Sequence, residues 1–600
     1  MRPKQRIFLR LPVVVVLAAV VVGAASGRAA QRADGRIVLM MVWDGLRPDL
    51  VDPRDTPNLY ALSREGVLFV HQHAVFPTLT MVNAAALATG SEPDRAGIFG
   101  DSMYLFPALG ADAAKPLPKL GALLNSPVDL ENSNHLAALN GSSGFNGYLL
   151  GVEAVAQQMF RDGGYVAIVG KQGPTFLFDD EADRRSATSS NYLFVADDLA
   201  RPDLSAATVA HKPPMRLGDL NSVADRDQWL AGLVIARALP AARAASLKGH
   251  PALIVVWQHN PDLVQHIAGL GTRPALNALR ECDTNLASIR AAIARLGIAH
   301  RTDLIVVSDH GFATIRMSVS LSDLLVGAGI KKSSNSADIV VAHNGGEDLV
   351  YLSPAAYESE EARRAMLARI VDFAEAQEWC GAIFSKKPAP EGTATNRQNR
   401  LGWIPGTFAQ EMLGLYNPNR SPDLIISFRE LPDLDNRGLT GPSNPAFAMG
   451  ANGQAARKNA SFPLIRPIAG VVYSDSHLLS TGQGMHGAAG AREVHNFCAA
   501  SGPDFRRHFA DPEPSGNADV APTIRKIFNL DAPAGASGRV LQEALSETER
   551  KAVSPQEQTL TAYLVLQGQE VVTKLRLTRF EGQDYLDDSS VTRNPLNGAP

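Results

Sequence analysis

Three short apolar runs in this chain each end in a turn that carries an aspartate, and this repetition constrains the fold more than any other feature. Residues 37–43 run into Asp44-Gly45. Residues 253–257 run into Gln258-His259-Asn260-Pro261-Asp262. Residues 304–307 run into Ser308-Asp309-His310-Gly311. Short runs rich in Val and Ile, bounded by turn residues, read as strands buried on both faces, as in a parallel sheet. Residues 166–170, followed by Lys171, are a fourth such run. Helical patterns fall between them at residues 57–66, 80–89, 227–245 and 276–296, with a late one at 519–530. The alternation predicts one doubly wound α/β domain over about residues 35–545. A Pro- and Gly-rich stretch at 386–453 breaks the pattern and reads as an insertion or loop-rich subdomain. Alternating apolar residues between 560 and 577 predict a terminal strand pair within a small carboxy-terminal appendage, residues 546–600.

Composition narrows the class. Of 600 residues, 45% are hydrophobic and 20% charged, which excludes a disordered chain, a collagen-like repeat and a polytopic membrane protein. Lys and Arg number 57 against 61 Asp and Glu, so there is no electrostatic case for binding a nucleic-acid polymer. Three cysteines allow one disulfide at most. Arg2, Lys4, Arg6 and Arg10 precede an apolar run at 11–22 and then small residues to Ala30, the order of a secretory signal peptide, residues 1–30. The run is shorter than the roughly 20 residues of a spanning helix. An uncleaved amino-terminal anchor is the alternative. Cleavage near Ala30 would remove five basic residues and no acidic ones, leaving 52 against 61, a net charge of −9. The expectation is a periplasmic or secreted, soluble protein without a stable membrane anchor. Its oligomeric state is not legible in the sequence.

In an open α/β sheet the carboxy ends of the strands form the ligand crevice. Asp44, Asp262 and Asp309 would converge there if their strands are neighbours. Three unpaired carboxylates close together resist ionising, and a cation removes that penalty. His266 follows Asp262 by four residues, on the same face of a helix starting there. His310 directly follows Asp309. Asp and His ligands suit zinc. A lone Asp-x-x-x-His carries little weight, and an aspartate after a strand is also a common helix cap. The joint placement carries the argument.

Between these motifs lies Pro77-Thr78-Leu79-Thr80-Met81-Val82-Asn83, before an Ala-rich stretch ending at Gly90. Thr80 would stand at a helix amino terminus, which favours an anion. Its hydroxyl, beside a divalent metal, is a candidate nucleophile. The plainer reading is a helix cap, and Thr78 is the competing nucleophile.

Together, Asp44-Gly45, Pro77-x-x-Thr80-x-x-Asn83 with Thr89-Gly90, Pro261-Asp262-x-x-x-His266, Ser308-Asp309-His310-Gly311 and Gly484-Met485-His486-Gly487 resemble the type I phosphodiesterase/nucleotide pyrophosphatase branch of the alkaline phosphatase superfamily. Asn496, Gly502-Pro503-Asp504-Phe505 and Asp519-Val520-Ala521-Pro522-Thr523 also look familial. The resemblance implies an alkaline-phosphatase-like α/β fold with a mostly parallel sheet and insertions near 104–164 and 312–484. It implies two zinc ions, one held by Asp262, His266 and His486, the other by Asp44, Asp309, His310 and the Thr80 oxygen. His486, in the Gly-rich stretch 482–490, enters the scheme only through the resemblance. The implied reaction is a two-metal in-line displacement on a small phosphorylated substrate through a phospho-threonine intermediate.

Two residues bear on the substrate. The family usually has an Asn about twenty residues after the nucleophile, where this chain has Asp101 in Gly100-Asp101-Ser102-Met103. An ionised Asp101 would repel a phosphate, so it is protonated, or turned away, or the substrate is not a plain nucleotide diester. Lys171, in Gly170-Lys171-Gln172, is either a phosphoryl contact, as its resemblance to the lysine of some phosphatase-type members implies, or an exposed loop residue. Asn83 is a further candidate for lining the site. His71, His73, His259, His343 and His495 have no place in the motif scheme and read as core or surface. A sulfatase of the same superfamily needs a Cys or Ser in a C/S-x-P-x-R setting, and none of Cys282, Cys380 and Cys498 fits. A phosphomonoesterase or phosphonate hydrolase would keep every ligand and change only the pocket. A binding protein on the same fold would be expected to have lost ligands or the nucleophile, and the full set is present here.

Overall fold

The computed structural model describes residues 35–104, 127–132, 135–136, 139, 149–179, 191–196, 199–201, 213–214, 219–387, 396–439, 462–476, 478–546 and 553–596. The expected signal segment, residues 1–30, lies outside them, as do parts of the 104–164 and 386–453 regions.

A nine-stranded sheet forms the centre. Its strands are β1 (Ile37–Trp43), β2 (Val67–His73), β3 (Tyr165–Gly170), β4 (Tyr192–Ala196), β5 (Leu199–Arg201), β6 (Ala252–Gln258), β7 (Thr302–Val307), β8 (Cys498–Ser501) and β9 (Phe509–Gly516). The spatial order is β9-β2-β8-β7-β1-β6-β3-β4-β5. The run β7-β1-β6-β3-β4 is parallel throughout, and β8 pairs antiparallel with both of its neighbours. Every residue of β1, β3, β6 and β7 is buried, which is why these strands read as unbroken apolar runs. Alternate residues feed two cores. Val38, Met40 and Val42 face one side with the helix Thr80–Thr89, and Ile37, Leu39 and Met41 face the other with Arg273–Arg295.

The long helical stretch Leu220–Leu247 is apolar enough to cross a membrane by length and composition. Here it packs its apolar residues into the second core, through Leu230, Val234, Leu239 and Ala242. It begins earlier than the 227–245 pattern indicated. Cys282, Cys380 and Cys498 are all buried and free.

Two regions differ from the sequence reading. Residues 386–453 contain the strand Leu424–Phe428, which sits third in a five-stranded sheet with Ile339–His343, Glu347–Leu352, Cys380–Ser385 and Phe408–Ala409. Its five residues follow Pro422-Asp423 and are too short to announce themselves by periodicity. The carboxy-terminal strand pair is a three-stranded antiparallel sheet, Gln556–Leu566, Gln569–Phe580 and Gln583–Pro595. The third strand is polar in sequence because one edge ties to the body: Tyr585 Oη donates to Asp519 Oδ2 (2.8 Å) and Arg593 donates to Glu375 O (3.1 Å).

Candidate functional site

The three aspartate-bearing turns follow adjacent strands at the middle of the sheet. Val307 pairs with Val42, so Asp309, two residues on, is level with Asp44. Asp262 reaches the same level because β6 ends in a turn, after which the helix Asp262–Ala268 begins. Its backbone N–H donates to Asp44 O at 2.9 Å.

Asp309 and Asp44 each have one oxygen anchored and one left over. Asp309 Oδ1 accepts from the N–H groups of Gly45 and His310 at 3.0 Å. Asp44 Oδ2 accepts from Trp257 Nε1 and Lys171 Nζ, both at 2.9 Å. Asp44 Oδ1, Asp262 Oδ1 and Asp309 Oδ2 are buried and accept no hydrogen bond. These three oxygens face imidazole nitrogens. His310 Nε2 lies 3.2 Å from Asp309 Oδ2 and 3.5 Å from Asp44 Oδ1. Asp262 Oδ1 lies 3.2 Å from His266 Nε2 and 3.4 Å from His486 Nε2.

All three histidines turn the same edge inward. His266 Nδ1 bonds Gly484 O (2.9 Å), His310 Nδ1 bonds Gly311 O (2.9 Å) and His486 Nδ1 bonds Thr78 O (3.0 Å). A carbonyl only accepts, so Nδ1 carries the proton in each ring and Nε2 faces the carboxylates, the arrangement of a metal-binding imidazole. His486, on the Gly-rich segment, stacks on His310 with ring centroids 3.6 Å apart. The ligand atoms of Asp262, His310 and His486, and those of Asp44, Asp309 and His310, each lie within 4.8 Å of one another.

The charges strain against one another. Burial, then Asp309, pushes the Asp44 carboxyl well above its usual range. Burial would lower His310, but Asp309, Asp44 and Asp262 raise it to about 10. Burial, and then His310, depress His486. Burial would also lower Lys171, yet Asp44 and Glu131 hold it firmly protonated, with Nζ 2.9 Å from Glu131 Oε1.

The helix Thr80–Thr89 starts at Thr80 itself. Leu79 is the N-cap residue, and its own side chain makes no capping bond. Thr80 Oγ1 instead lies 3.2 Å from His310 Nε2. The competing hydroxyl is committed elsewhere: Thr78 Oγ1 donates to Ala488 O (2.8 Å) and accepts from Gly487 N–H (3.1 Å). Asp101 Oδ1 accepts the N–H of Met81 at 2.8 Å, one of the donors a helix start leaves open. Burial, then Glu131, raises Asp101 to about 7.

A cavity of about 660 Å³ opens over this cluster, lined by Thr80, Asp101, Lys171, Asp262, His266 and His486 among others. Lys171 is therefore in the site rather than on an exposed loop. Asn83 is not brought to the cavity. Its Nδ2 donates to Val75 O and Leu79 O, and its Oδ1 accepts from Val75 N–H and Asn517 Nδ2. One turn into the helix, Asn83 points away from Thr80 into the protein. Sequence reasoning passed over Trp257, Glu131, His343, Asn344 and Asp475, all beside the site. Glu131 and the 343–344 and 475 segments sit in no recognisable motif, and Trp257 reads as the end of a buried strand.

The model of the family described as type I phosphodiesterase/nucleotide pyrophosphatase matches residues 38–431. The chain belongs to that family. A curated relative, bis(5′-adenosyl)-triphosphatase of Mus musculus, is 37% identical over 67 residues, which are 11% of this chain and 15% of the relative. Solved structures of murine ectonucleotide pyrophosphatase/phosphodiesterase 5 match over 85% of this chain. One is an inactive variant in complex with AMP, at 16% identity, TM-score 0.51 and 99% of its length; another has 17% identity, TM-score 0.50 and full coverage of its length. The human counterpart matches at 16% identity and TM-score 0.51, over 85% of this chain and all of its own. These likenesses establish the alkaline-phosphatase-like α/β fold that the motifs implied.

Proposed function

We propose that the protein is an exported, metal-dependent hydrolase of phosphodiester or nucleotide pyrophosphate bonds in small phosphorylated substrates, with Thr80 as nucleophile. The observation that carries this reading is the Thr80 hydroxyl, free of any capping role and 3.2 Å from His310 Nε2, beside three buried carboxylate oxygens that accept no hydrogen bond.

The residues fit two divalent ions. Their inward oxygens and Nε2 atoms stand 3.2 to 3.5 Å apart. Ligands about 2.0–2.2 Å from a shared ion have about this spacing. Asp262, His266 and His486 would hold one ion, and Asp44, Asp309, His310 and Thr80 Oγ1 the other. The mixed N and O set suits zinc. Bound there, the ions supply charge neutralisation and acidify the hydroxyl and water. The chain does the rest. Thr80 Oγ1 forms the bond to phosphorus as the bond to the leaving oxygen breaks, and it carries the phosphoryl group. A water oxygen then attacks phosphorus, the Oγ1–P bond breaks, and the leaving oxygens take their protons from solvent. Asp101, raised to about 7, is about half protonated near neutral pH, which weakens its repulsion of a phosphate and supports the protonated alternative.

Supporting the reading, the murine structural neighbour is inactive in a form where alanine replaces a threonine, and that form binds AMP. The neighbours are named ectoenzymes, in keeping with the secretory pattern at residues 1–30. Lys171 favours a second reading. A fixed cation in the cavity wall would offset the extra charge of a phosphomonoester or phosphonate.

Thr80→Ala should abolish turnover while bound metal remains. The assay pairs metal analysis with rates on a matched phosphodiester, monoester and phosphonate. Retained diesterase activity in the variant would remove Thr80 as nucleophile, and a monoester rate above the diester rate would favour the second reading.

A further inference from the structure

We propose that His343, Asp348 and Asp475 form a third divalent-cation site in the wall of the same cavity. His343 ends the strand Ile339–His343, and Asp348 is its cross-strand partner on Glu347–Leu352. Asp475 follows Ala469–Ser474 and is pinned alongside by its N–H to Gly345 O (2.8 Å). A hairpin and a turn that lies 132 positions after His343 therefore converge on one point.

Two independent features indicate a cation. The first is spacing. One ligand atom from each residue lies within 4.8 Å of the others. His343 Nδ1 stands 2.9 Å from Asp475 Oδ2 and 3.7 Å from Asp348 Oδ1. The shorter contact is a hydrogen bond, made to the same Asp475 oxygen that Leu321 N–H holds, while Asp475 Oδ1 and both Asp348 oxygens are left without a partner beside it; the spread still suits ligands around one ion. The second is uncompensated charge. Asp348 is fully buried and neither of its oxygens accepts a hydrogen bond; Asp475 Oδ1 and both oxygens of the adjoining Glu347 are likewise buried and unbonded. Three buried carboxyls against one imidazole are costly without a cation or added protons. The remaining Asp475 oxygen is held in place by the N–H of Leu321 at 2.7 Å. One imidazole with two carboxylates suits an ion of the Mn²⁺ or Zn²⁺ type.

His343 and Asp475 both line the Thr80 cavity, so an ion there has open positions facing solvent or substrate. The loop between the two strands also supports the main cluster. Gly346 N–H donates to His486 O (2.8 Å), and Asn344 Oδ1 accepts from Ser102 N–H (2.7 Å), next to Asp101. An ion at this point would fix the loop that positions His486.

The test is metal content of the full chain after reconstitution with Mn²⁺ or Zn²⁺ and removal of excess. Asp348→Asn and His343→Gln should each hold one fewer ion per chain than the unaltered protein. Asp309→Asn, which disables the Thr80 cluster, should still hold an ion that Asp309→Asn/Asp348→Asn loses. That comparison separates this site from the proposed catalytic one. An unchanged ion count in folded Asp348→Asn or His343→Gln overturns the proposal. So does an Asp348→Asn protein whose thermal stability rises while remaining indifferent to metal, the result of two carboxyls sharing a proton. Circular dichroism identifies any misfolded variant, and the other then decides.

Discussion

Asn83→Ala tests whether this residue holds the nucleophile helix or touches the substrate. In the structure its amide makes five bonds inside the protein: to Val75 O (3.0 Å), Leu79 O (3.1 Å) and, at 3.5 Å, Pro77 O, which also accepts Leu79 N–H, and from Val75 N–H (2.8 Å) and Asn517 Nδ2 (2.9 Å). Leu79 O keeps the helix bond from Asn83 N–H, and Asn517 Nδ2 keeps Asp309 O. The substitution therefore orphans two groups, the N–H and C=O of Val75. Each orphan costs about 1–3 kcal/mol, and partial exposure of the Val75 groups puts them at the low end, about 2–3 kcal/mol together. At about 2.1 cal/mol/K per residue, a 600-residue chain unfolding as a unit has a transition entropy near 1.3 kcal/mol/K, so the midpoint should fall by about 2 °C. Calorimetry gives the midpoint, and steady-state rates normalised to folded protein give kcat and KM. Both rate constants should stay within a factor of about three, since no group facing the cavity is removed. A tenfold loss of kcat with an unmoved midpoint would refute the reasoning and return Asn83 to the substrate.

Thr78→Val should cost about 1–3 kcal/mol, because it strands the N–H of Gly487 and the carbonyl of Ala488, yet leave turnover in place; loss of turnover with intact stability would make Thr78 the nucleophile. Lys171→Met removes a cation 2.9 Å from Asp44 Oδ2, so the metal-stripped protein should bind a divalent ion at least about tenfold more tightly, read by competition with a chromogenic chelator; unchanged affinity would mean that Lys171 does not compete with metal. Asp303, far along β7 from the site, is raised from 3.8 to about 8 by burial and its neighbour Asp504. The folded state therefore holds a proton that the unfolded chain releases, and the contribution of this carboxyl is fullest below about pH 4 and lost as pH rises to about 8. Asp303→Asn should flatten urea-unfolding stability across that window, and an unaltered pH slope would show that Asp303 titrates normally.

What the sequence disclosed and what it withheld follow from the range of the interactions involved. Asp44, Asp262 and Asp309 were legible because each directly follows a strand buried on both faces, and such strands leave unbroken apolar runs. The start of the Thr80 helix was legible from its Ala-rich composition. His486 was legible only through the resemblance, since it reaches the cluster from a Gly-rich segment with no periodicity, by stacking on His310 across 176 positions of chain. Asn83 misled because a polar residue one turn after a nucleophile looks like part of the site. Its environment is set by Asn517, over 400 residues later, a pairing that no local pattern encodes. The partners of His343 were hidden for the same reason: Asp348 is set by strand register and Asp475 by a contact between sheets.

The same division separates chemistry from selection within the site. The reacting cluster hangs on β7, β1 and β6, three adjacent parallel strands whose register brings Asp44 and Asp309 level. One residue of slip in any of them would turn a carboxylate out of the cluster and swap its apolar neighbours between the two cores, whose packing differs, so core packing and site geometry enforce each other. The opposite wall, with Asn344 and Asp475, comes from the sheets built after residue 312, and it meets the cluster through backbone bonds such as Gly346 N–H to His486 O and through side-chain bonds such as Ser102 N–H to Asn344 Oδ1. Position 346 is fixed as glycine, because a Cβ there would lie 2.4 Å from His486 O. Away from those contacts, that wall can change its side chains, and with them what the cavity admits, without disturbing the strands that carry Asp44, Asp262 and Asp309.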